Sequence, residues 1–205
     1  MKFRLIISLI CMFVLPGVGS AATPKSLAGV TLGANLNEIS DKVDMGSALP
    51  LWRSEYLAKV SLKPIEGYRS GYVLYGNCKN NGRIIRIKMT YENDSKEFYD
   101  RLRSLLEKRY GKPSEWRGNP FGTLKNWKWS LKDADKNSVS IILERYEGDD
   151  ESFTHGNSIR LTNATLMEAE KKCFESKAKE TPPGKAPGGA AVTPNKANFD
   201  WYLPQ

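Results

Sequence analysis

Histidine and cysteine are scarce in this chain of 205 residues, which holds one histidine and three cysteines. A single histidine excludes metal sites built from several imidazoles, and any histidine-based catalytic site would have to use His155. That residue lies in a polar turn and is interpreted as a solvated loop residue. The C-x-x-C, G-x-S-x-G and phosphate-binding glycine motifs are also missing. We therefore predict no catalytic residues and no cofactor.

Long hydrophobic runs are missing as well. The longest, residues 5–15, is shorter than the roughly 20 residues that a membrane-spanning helix needs. Basic residues precede it and small residues follow it, which is the pattern of a cleavable secretory signal. We predict a signal peptide over residues 1–22, with cleavage after Ala22 or, as second choice, Ala21; an uncleaved anchor is the alternative. The mature protein is then periplasmic or secreted and does not span the membrane.

The charge balance favours anionic partners. The chain has 31 Lys and Arg residues against 23 Asp and Glu residues, a formal net charge of +8. Such an excess attracts anions but says nothing about the fold. For an exported protein we expect the partner to be an envelope protein or an anionic envelope component, and we expect no nucleic acid.

Two cysteines, Cys78 and Cys173, remain after Cys11 leaves with the signal peptide. An even pair in an oxidising compartment predicts a disulfide bond, with two buried free thiols as the alternative. The bond would close a loop of almost a hundred residues and would strongly constrain the unfolded chain.

The strongest local signal is a β-hairpin. Strands are predicted over residues 69–78 and 83–91, on either side of an Asn81-Gly82 turn. A two-residue turn there would place Leu74 opposite Met89 and Cys78 opposite Ile85, with all four side chains on one apolar face.

The other face of this hairpin carries Arg86 and Lys88, which we expect to be half-solvated. These residues form a basic strand face and are candidates for binding an anionic ligand. The alternative is an outward face that charge keeps soluble and protects from edge-to-edge pairing.

Three helices and further strands are predicted around the hairpin. Asn35 and Glu38 form the capping box of a short first helix, and Thr165 and Glu168 form that of a last helix. A middle helix opens near residue 94 and stops at Gly111, with an apolar stripe of Phe98, Leu102, Leu105 and Leu106. Strands are predicted near 127–131, 139–146 and 158–161, and an irregular connection over 46–68.

This order predicts an α+β fold. We expect one domain over residues 23–178, with an antiparallel sheet, helices packed on one of its faces and two similar helix-plus-hairpin halves. Because Cys173 lies on the core side of the last helix, its bond to Cys78 would staple that helix to the end of the hairpin.

Two helix boundaries carry a family resemblance. Gly29-Val30-Thr31-Leu32-Gly33 before a helix and Tyr110-Gly111-Lys112-Pro113 at a helix end resemble those of small exported bacterial α+β modules. The SmpA/OmlA outer-membrane assembly lipoproteins and the β-lactamase-inhibitor-protein-like fold are examples. The chain departs from the lipoproteins in lacking a lipid-attachment cysteine. The resemblance implies a binding or assembly role in the envelope and identifies no functional residue.

A turn-rich loop is the second candidate binding surface. It carries Trp116, Arg117 and Phe121, and these residue types are enriched in protein interfaces. The alternative is that Trp116 and Phe121 fold back as a lid on the core.

A calcium loop is a weaker hypothesis. Asp133, Asp135, Asn137 and Glu144 match positions 1, 3, 5 and 12 of the EF-hand pattern. Ser138, however, replaces the glycine of that pattern, and the flanking segments alternate as strands do. A plain hairpin turn is the favoured interpretation.

The chain ends in a segment rich in Pro, Gly and Ala. Residues 179–205 show no periodicity and too little apolar surface for a core, so a disordered tail is predicted. Its last residues include an aromatic cluster of Phe199, Trp201 and Tyr202. Because Trp and Tyr anchor many interfaces, the cluster is a candidate recognition motif; a frayed, inert terminus is the alternative.

These observations predict a non-enzymatic binding or assembly protein of the bacterial envelope. Two alternatives stay open. One is a hydrolase that uses carboxylates, because acid–base chemistry needs no histidine. The other is a small-ligand carrier whose aromatic cleft is lined by Tyr91, Trp127 and Trp129.

Overall fold

A computed structural model describes residues 22–180 of the chain, apart from the side chain of Glu180. The elements in chain order are β1 Ser26–Leu27, β2 Val30–Thr31, a 3-10 helix Leu36–Ile39, β3 Val43–Leu51, β4 Ser54–Leu62, β5 Tyr68–Gly76, β6 Ile84–Tyr91, α1 Lys96–Tyr110, β7 Glu115–Gly118, β8 Leu124–Lys132, β9 Ser138–Tyr146, β10 Gly156–Asn163 and α2 Ala164–Glu180. The predicted signal peptide and tail lie almost wholly outside this range. α2 continues past residue 178, the predicted end of the domain.

Eight strands form one antiparallel sheet in the order β3-β4-β5-β6-β10-β9-β8-β7, and β1 pairs with β2 in a separate small hairpin. Strands β3–β6 and β7–β10 are two four-stranded meanders, which meet where β10 pairs with β6. α1 follows the first meander and α2 the second. This confirms the α+β class with an antiparallel sheet. The prediction of helix-plus-hairpin halves is wrong, because each helix follows four strands and the two helices cover opposite faces.

One face of the sheet is the main hydrophobic core. Residues directly opposite each other in neighbouring strands share a face. One such row crosses six strands and is buried throughout; it consists of Val60, Val73, Ile87, Leu161, Ile141 and Trp129. The apolar stripe of α1 packs over this face, as predicted for Phe98, Leu102 and Leu106. Leu105 departs from the prediction and is 55% exposed.

α2 covers one end of the opposite face. A second apolar cluster there joins strand residues to α2; its buried members are Leu57, Leu74 and Ile85, and the residues packed against them are Leu51, Tyr56, Tyr72, Leu166 and Met167. Successive residues of a strand point to opposite faces, so Val73 faces the main core and Leu74 faces α2. The prediction that the helices share one face is therefore wrong, because β5 is apolar on both of its sides where α2 lies.

The hairpin of β5 and β6 is present, but its register differs from the predicted one. Leu74 lies opposite Arg86 rather than Met89, and Tyr75 pairs with Ile84 after a register shift. The strands are joined by residues 77–83, so the prediction of a two-residue turn is wrong, and with it the pairing of residues 78 and 85.

The prediction of an irregular connection over 46–68 is also wrong. β3 and β4 occupy most of that range and pair with each other across two register shifts. Gly46 and Pro50 interrupt the alternation of β3. They are tolerated because β3 is an edge strand, where a missing N–H leaves no ladder bond unmade.

The first helix and α1 have the expected caps. Asn35 and Glu38 form the predicted capping box, with the Asn35 N–H donating to Glu38 Oε1 at 2.9 Å, although the helix is a single 3-10 turn. α1 begins after Ser95, whose Oγ accepts from the backbone of its first turn, and it stops at Gly111, where φ is +79°.

α2 begins differently from the prediction. The Leu166 N–H donates to Asn163 Oδ1 at 3.0 Å, so Asn163 caps the helix. The proposed capping box of Thr165 and Glu168 is wrong, because Thr165 Oγ1 accepts instead from the backbone of β9.

The disulfide bond is formed as predicted. Cys78, in the connection between β5 and β6, is bonded to Cys173 of α2, and their Cα atoms are 6.0 Å apart. The bond ties α2 to the end of the hairpin across 95 residues of sequence.

A buried carboxylate makes a second link at the same place. Glu170 of α2 is fully buried and accepts hydrogen bonds from the backbone N–H groups of Cys78, Lys79 and Asn80, at 2.7, 3.1 and 2.5 Å. The Asn80 side chain donates a further bond at 2.9 Å. A carboxylate is stable in an interior only when such donors replace water. Because these three amides point at Glu170, they are not available for a tight hairpin ladder.

We expect Cys78→Ser and Cys173→Ser each to lower the free energy of unfolding by about 2–5 kcal/mol, because the bond constrains a long loop of the unfolded chain. Chemical denaturation of the oxidised protein and of both variants measures the change. The double variant is the control and should lose little more than either single variant. Two alkylatable thiols in the non-reduced native protein would contradict the pairing.

Glu170→Gln should lower the free energy of unfolding by about 1.5–3 kcal/mol, because it places an NH₂ group against backbone donors and removes a charged acceptor. The matched control is Glu168→Gln, on the exposed side of the same helix, which should leave stability nearly unchanged. Urea denaturation compares the two. Equal losses in both variants would show that the N–H bonds to Glu170 contribute little.

Candidate functional site

The face of the sheet that α2 partly covers carries a concentration of cationic side chains. The cross-strand register places Lys88 opposite Arg160, Arg160 opposite Ile142 and Ile142 opposite Lys128. Neighbouring rows add further cations to the same face. We call this surface the basic face; its cations are Lys59, Arg86, Lys88, Arg117, Lys128 and Arg160.

The basic face is bounded at both ends of the strands. α2 packs on the end near Leu74, and the loop over residues 147–155 folds over the other end. In that loop Thr154 Oγ1 accepts a hydrogen bond from Lys88 Nζ at 2.7 Å, and the Phe153 ring lies 4.9 Å from that of Tyr146. A band that runs across the strands is left between these two covers.

Two carboxylates neutralise part of the basic face. Glu144 Oε1 lies 3.7 Å from Lys88 Nζ, and Glu144 Oε2 accepts from Asn126 Nδ2 at 3.0 Å. Glu115 pairs with Arg117 and, at 3.2 Å, with Lys128. Hydrogen bonds from Arg117 and Lys128 hold the pKa of the Glu115 carboxyl below its ordinary value. Within the described residues, Glu144 and Glu115 are the carboxylates that form ion pairs with these cations, while Asp44 lies on the same face opposite Ser61.

Arg160, Arg86 and Lys59 form no ion pair with a described residue. The guanidinium of Arg160 makes no hydrogen bond or ion pair with any residue of the range 22–180. Arg86 Nε donates to the neutral hydroxyl of Thr162 at 3.0 Å. Both arginines are partly buried, and Lys88 stands beside them. The centre of the basic face thus carries an uncompensated positive charge.

Burial and neighbouring positive charges shift the pKa values of Arg86 and Lys88 at this centre. Burial lowers the pKa of the Arg86 guanidinium, and the charge of Arg160 lowers it further. Burial likewise lowers the pKa of the Lys88 ammonium; Glu144 opposes this change, while Arg160 and Arg86 add to it. An anion bound among the three would favour their charged forms.

A small cavity of about 110 Å³ opens beside Arg160. Its lining consists of Glu115, Arg117, Asn126, Lys128, Ile142 and Arg160. Asn126 Oδ1 is buried there and accepts no hydrogen bond from the described residues. The cavity has room for a carboxylate or phosphate group, and its donors come from three cations.

Arg145 shows by contrast what a structural arginine looks like in this fold. It is buried on the opposite face and donates to the Asp94 carbonyl and to Asn157 Oδ1, and it forms an ion pair with Glu147. These bonds fix the start of α1. Arg160 has no such set of partners.

The structure brings the two predicted residues of the basic strand face into this site. Arg86 and Lys88 point away from the main core, as predicted. The expectation that they are half-solvated is only partly right, because the Lys88 side chain is 13% exposed beneath the 147–155 loop.

The predicted loop binding surface is divided by strand β7. Arg117 lies opposite Asn126 and joins the basic face, whereas Trp116 lies opposite Trp127 on the other side. Trp116 is 54% exposed and Phe121 87% exposed. The alternative of a lid on the core is therefore wrong for Phe121, whereas the ring of Trp116 lies 6.1 Å from that of Trp127, which packs against the core.

The four residues of the calcium hypothesis are not brought together. Asp133 accepts hydrogen bonds from the backbone and side chain of Asn137 within the turn, while Glu144 lies near the far end of β9 on the basic face. Hydrogen bonds from Asn137 hold the pKa of Asp133 low. Asp135 is exposed in the same turn. The favoured hairpin-turn interpretation agrees with this geometry.

The aromatic cleft is not formed either. Trp129 and Tyr91 are buried in the main core, and Trp127 packs against it. The aromatic residues Phe199, Trp201 and Tyr202 lie outside the described residues. Neither helix within residues 22–180 is long and apolar enough to pass through a bilayer.

The sequence analysis missed Arg160, Lys128 and Lys59. Each alternates with buried apolar neighbours along its strand, so the sequence indicates on which face of the sheet its side chain lies. What the alternation does not reveal is that β10 pairs with β6, which brings Arg160 beside Lys88 although 72 positions separate them in the numbering.

We expect Arg160→Gln to raise the free energy of unfolding by about 0.2–1 kcal/mol, because it removes a like charge directly opposite Lys88. Arg145→Gln is the matched control and should lower stability, since it breaks a buried hydrogen-bonded ion pair. Denaturation at low ionic strength measures both. A clear loss of stability in Arg160→Gln would show that this guanidinium has a structural role.

The chain matches no protein-family model, no curated protein and no solved structure. The resemblance to SmpA/OmlA-like and β-lactamase-inhibitor-protein-like modules therefore stays a prediction, and the geometry of the basic face carries the functional interpretation.

Proposed function

We propose that this protein is a non-enzymatic binding protein of the bacterial envelope that holds an anionic envelope component on its basic face. The observation that carries the proposal is Arg160, which lies directly opposite Lys88 and diagonal to Arg86 without an acceptor of its own among the described residues.

Repulsion between like charges at the centre of the basic face favours a ligand of opposite charge. Like charges directly opposite each other across strands destabilise a sheet, and partial burial makes their interaction stronger than at an open surface. An anionic group between Arg160 and Lys88 replaces this repulsion by charge-assisted hydrogen bonds. The free protein is thus arranged for a ligand of opposite charge.

The carboxylates of the basic face favour binding over hydrolysis. A general acid needs a raised pKa, which enzymes obtain by burying a carboxyl away from cations. Glu144 instead pairs with Lys88, and the pKa of Glu115 is lowered by Arg117 and Lys128. Both groups serve to limit the positive charge of the site.

Placement in the envelope rests on two compatible features. The N-terminal residues have the pattern of a cleavable signal, and the bond between Cys78 and Cys173 suits an oxidising compartment. An exported protein with a basic face meets anionic glycans, anionic lipids and acidic proteins before it meets nucleic acid.

The test is equilibrium binding of the mature protein to paired anionic and neutral ligands. Labelled polygalacturonate is compared with neutral dextran, and vesicles with anionic phospholipid are compared with vesicles of zwitterionic lipid. We expect binding to an anionic member of a pair only. Arg160→Gln should weaken it by about tenfold or more, which corresponds to a lost charge-assisted hydrogen bond of roughly 1.5–3 kcal/mol.

Lys108→Gln is the matched control, because it removes the same charge from α1 on the opposite face. It should change the affinity less than about twofold, as expected for a distant surface charge. Equal weakening by both variants, or no anion-dependent binding at all, would contradict the proposed function.

A further inference from the structure

The cations of the basic face are spread over the sheet rather than gathered at one point. They lie on five of its eight strands: Arg117 on β7, Lys128 on β8, Arg160 on β10, Arg86 and Lys88 on β6, and Lys59 on β4. From β7 to β4 there are six strand intervals, which at about 4.8 Å each make a span of about 29 Å. A compact anion would contact only the centre of this series.

The covers at the two ends of the strands give the series a direction. α2 on one side and the 147–155 loop on the other leave the band between them open across the strands. The row with Lys88, Arg160 and Lys128 runs across the strands between these covers, with Lys88 under the edge of the loop. A chain-like ligand fits the band when it lies perpendicular to the strands.

Polar groups without charge fill the gaps between the cations. Hydroxyl groups of Thr162, Ser140 and Ser61 lie on the same face in the rows of Arg86 and Lys88. At the β4 end, the Lys59 ammonium lies 5.5 Å from the centre of the Tyr72 ring. Hydroxyl groups in the same rows as the cations, with an aromatic ring beside Lys59, match a ligand that carries many hydroxyl groups as well as acids.

Other polyanions fit less well. An acidic peptide gains most from main-chain pairing at a sheet edge, and the face of a sheet offers no free backbone groups. Single-stranded nucleic acid binds on a series of aromatic side chains. Within the described residues, Tyr72 is the one aromatic in the row of Lys88 and Arg160.

We propose that the ligand of the basic face is an acidic polysaccharide, bound in extended form across the strands from Arg117 to Lys59 with Arg160 at its centre. This inference rests on the proposed function and adds to it the class and the minimum length of the ligand.

The test uses galacturonic acid, its trimer and its dodecamer with the mature protein, and follows binding by calorimetry. The dodecamer, which is long enough to cover the whole series, should bind about 100-fold or more tightly than the trimer, because linked contacts add as an intramolecular effect. The monomer should bind weakly. Polyglutamate of equal charge should bind less tightly than the dodecamer.

Three variants locate the ligand. Lys59→Gln and Arg117→Gln, at the two ends, should weaken the dodecamer several-fold and leave the trimer unaffected, whereas Arg160→Gln should weaken both. Lys108→Gln again serves as the charge-matched control, and thermal unfolding checks that every variant is folded.

The outcomes separate this inference from the proposed function. If the monomer binds as tightly as the dodecamer and both depend on Arg160, the site holds a compact anion and the extended ligand is wrong. If polyglutamate or anionic vesicles bind more tightly than the dodecamer, the polysaccharide class is wrong. If none of these ligands binds in an Arg160-dependent manner, the proposed function itself fails.

Discussion

The antiparallel pairing of β6 with β10 is the interaction on which the rest of the molecule depends. It joins two meanders that are separate along the chain into one sheet. The same register places Ile87 opposite Leu161 in the main core and Lys88 opposite Arg160 on the other face. Burial of apolar surface, at about 25 cal/mol per Å², holds the pair of strands together. That pairing therefore forces two cations into adjacent positions.

α2 turns the second face of the sheet into a bounded site. A helix that packs on a polar sheet face needs strong local contacts. The contacts of α2 are concentrated at the strand end near Leu74 and at the connection between β5 and β6. Glu170 takes three backbone N–H groups out of the hairpin connection, and Cys173 adds a covalent bond beside it. Leu166 and Met167 then cover the few apolar residues of that face. The cations beyond the helix form the proposed binding site.

Local sequence patterns predicted most helices and strands of the fold, but only some of the residues of the site. Alternation indicated the sides on which Arg86 and Lys88 lie, and the even number of cysteines after the predicted signal peptide indicated the disulfide bond. The register of the hairpin was not predictable, because it depends on Glu170, about 90 positions further along the chain. β3 was not predicted, because Gly46 and Pro50 interrupt the alternation of apolar and polar residues that indicates a strand. Arg160 was missed because strand neighbours that are distant in sequence leave no local periodicity.

Arg145, which is buried, and Arg160, which is partly buried, differ in their partners. A fold can carry a partly desolvated charge when partners surround it; the terminal nitrogens of Arg145 donate to Asp94, Asn157 and Glu147, although its Nε has no partner among the described residues. Arg160 has no such partners among those residues, although it lies next to Lys88 and Arg86. A glutamine there would keep the strand pairing without the repulsion, so the fold has no need of the charge. A positive charge that the fold does not need, beside a cavity lined with further donors, is what a site for an anion requires.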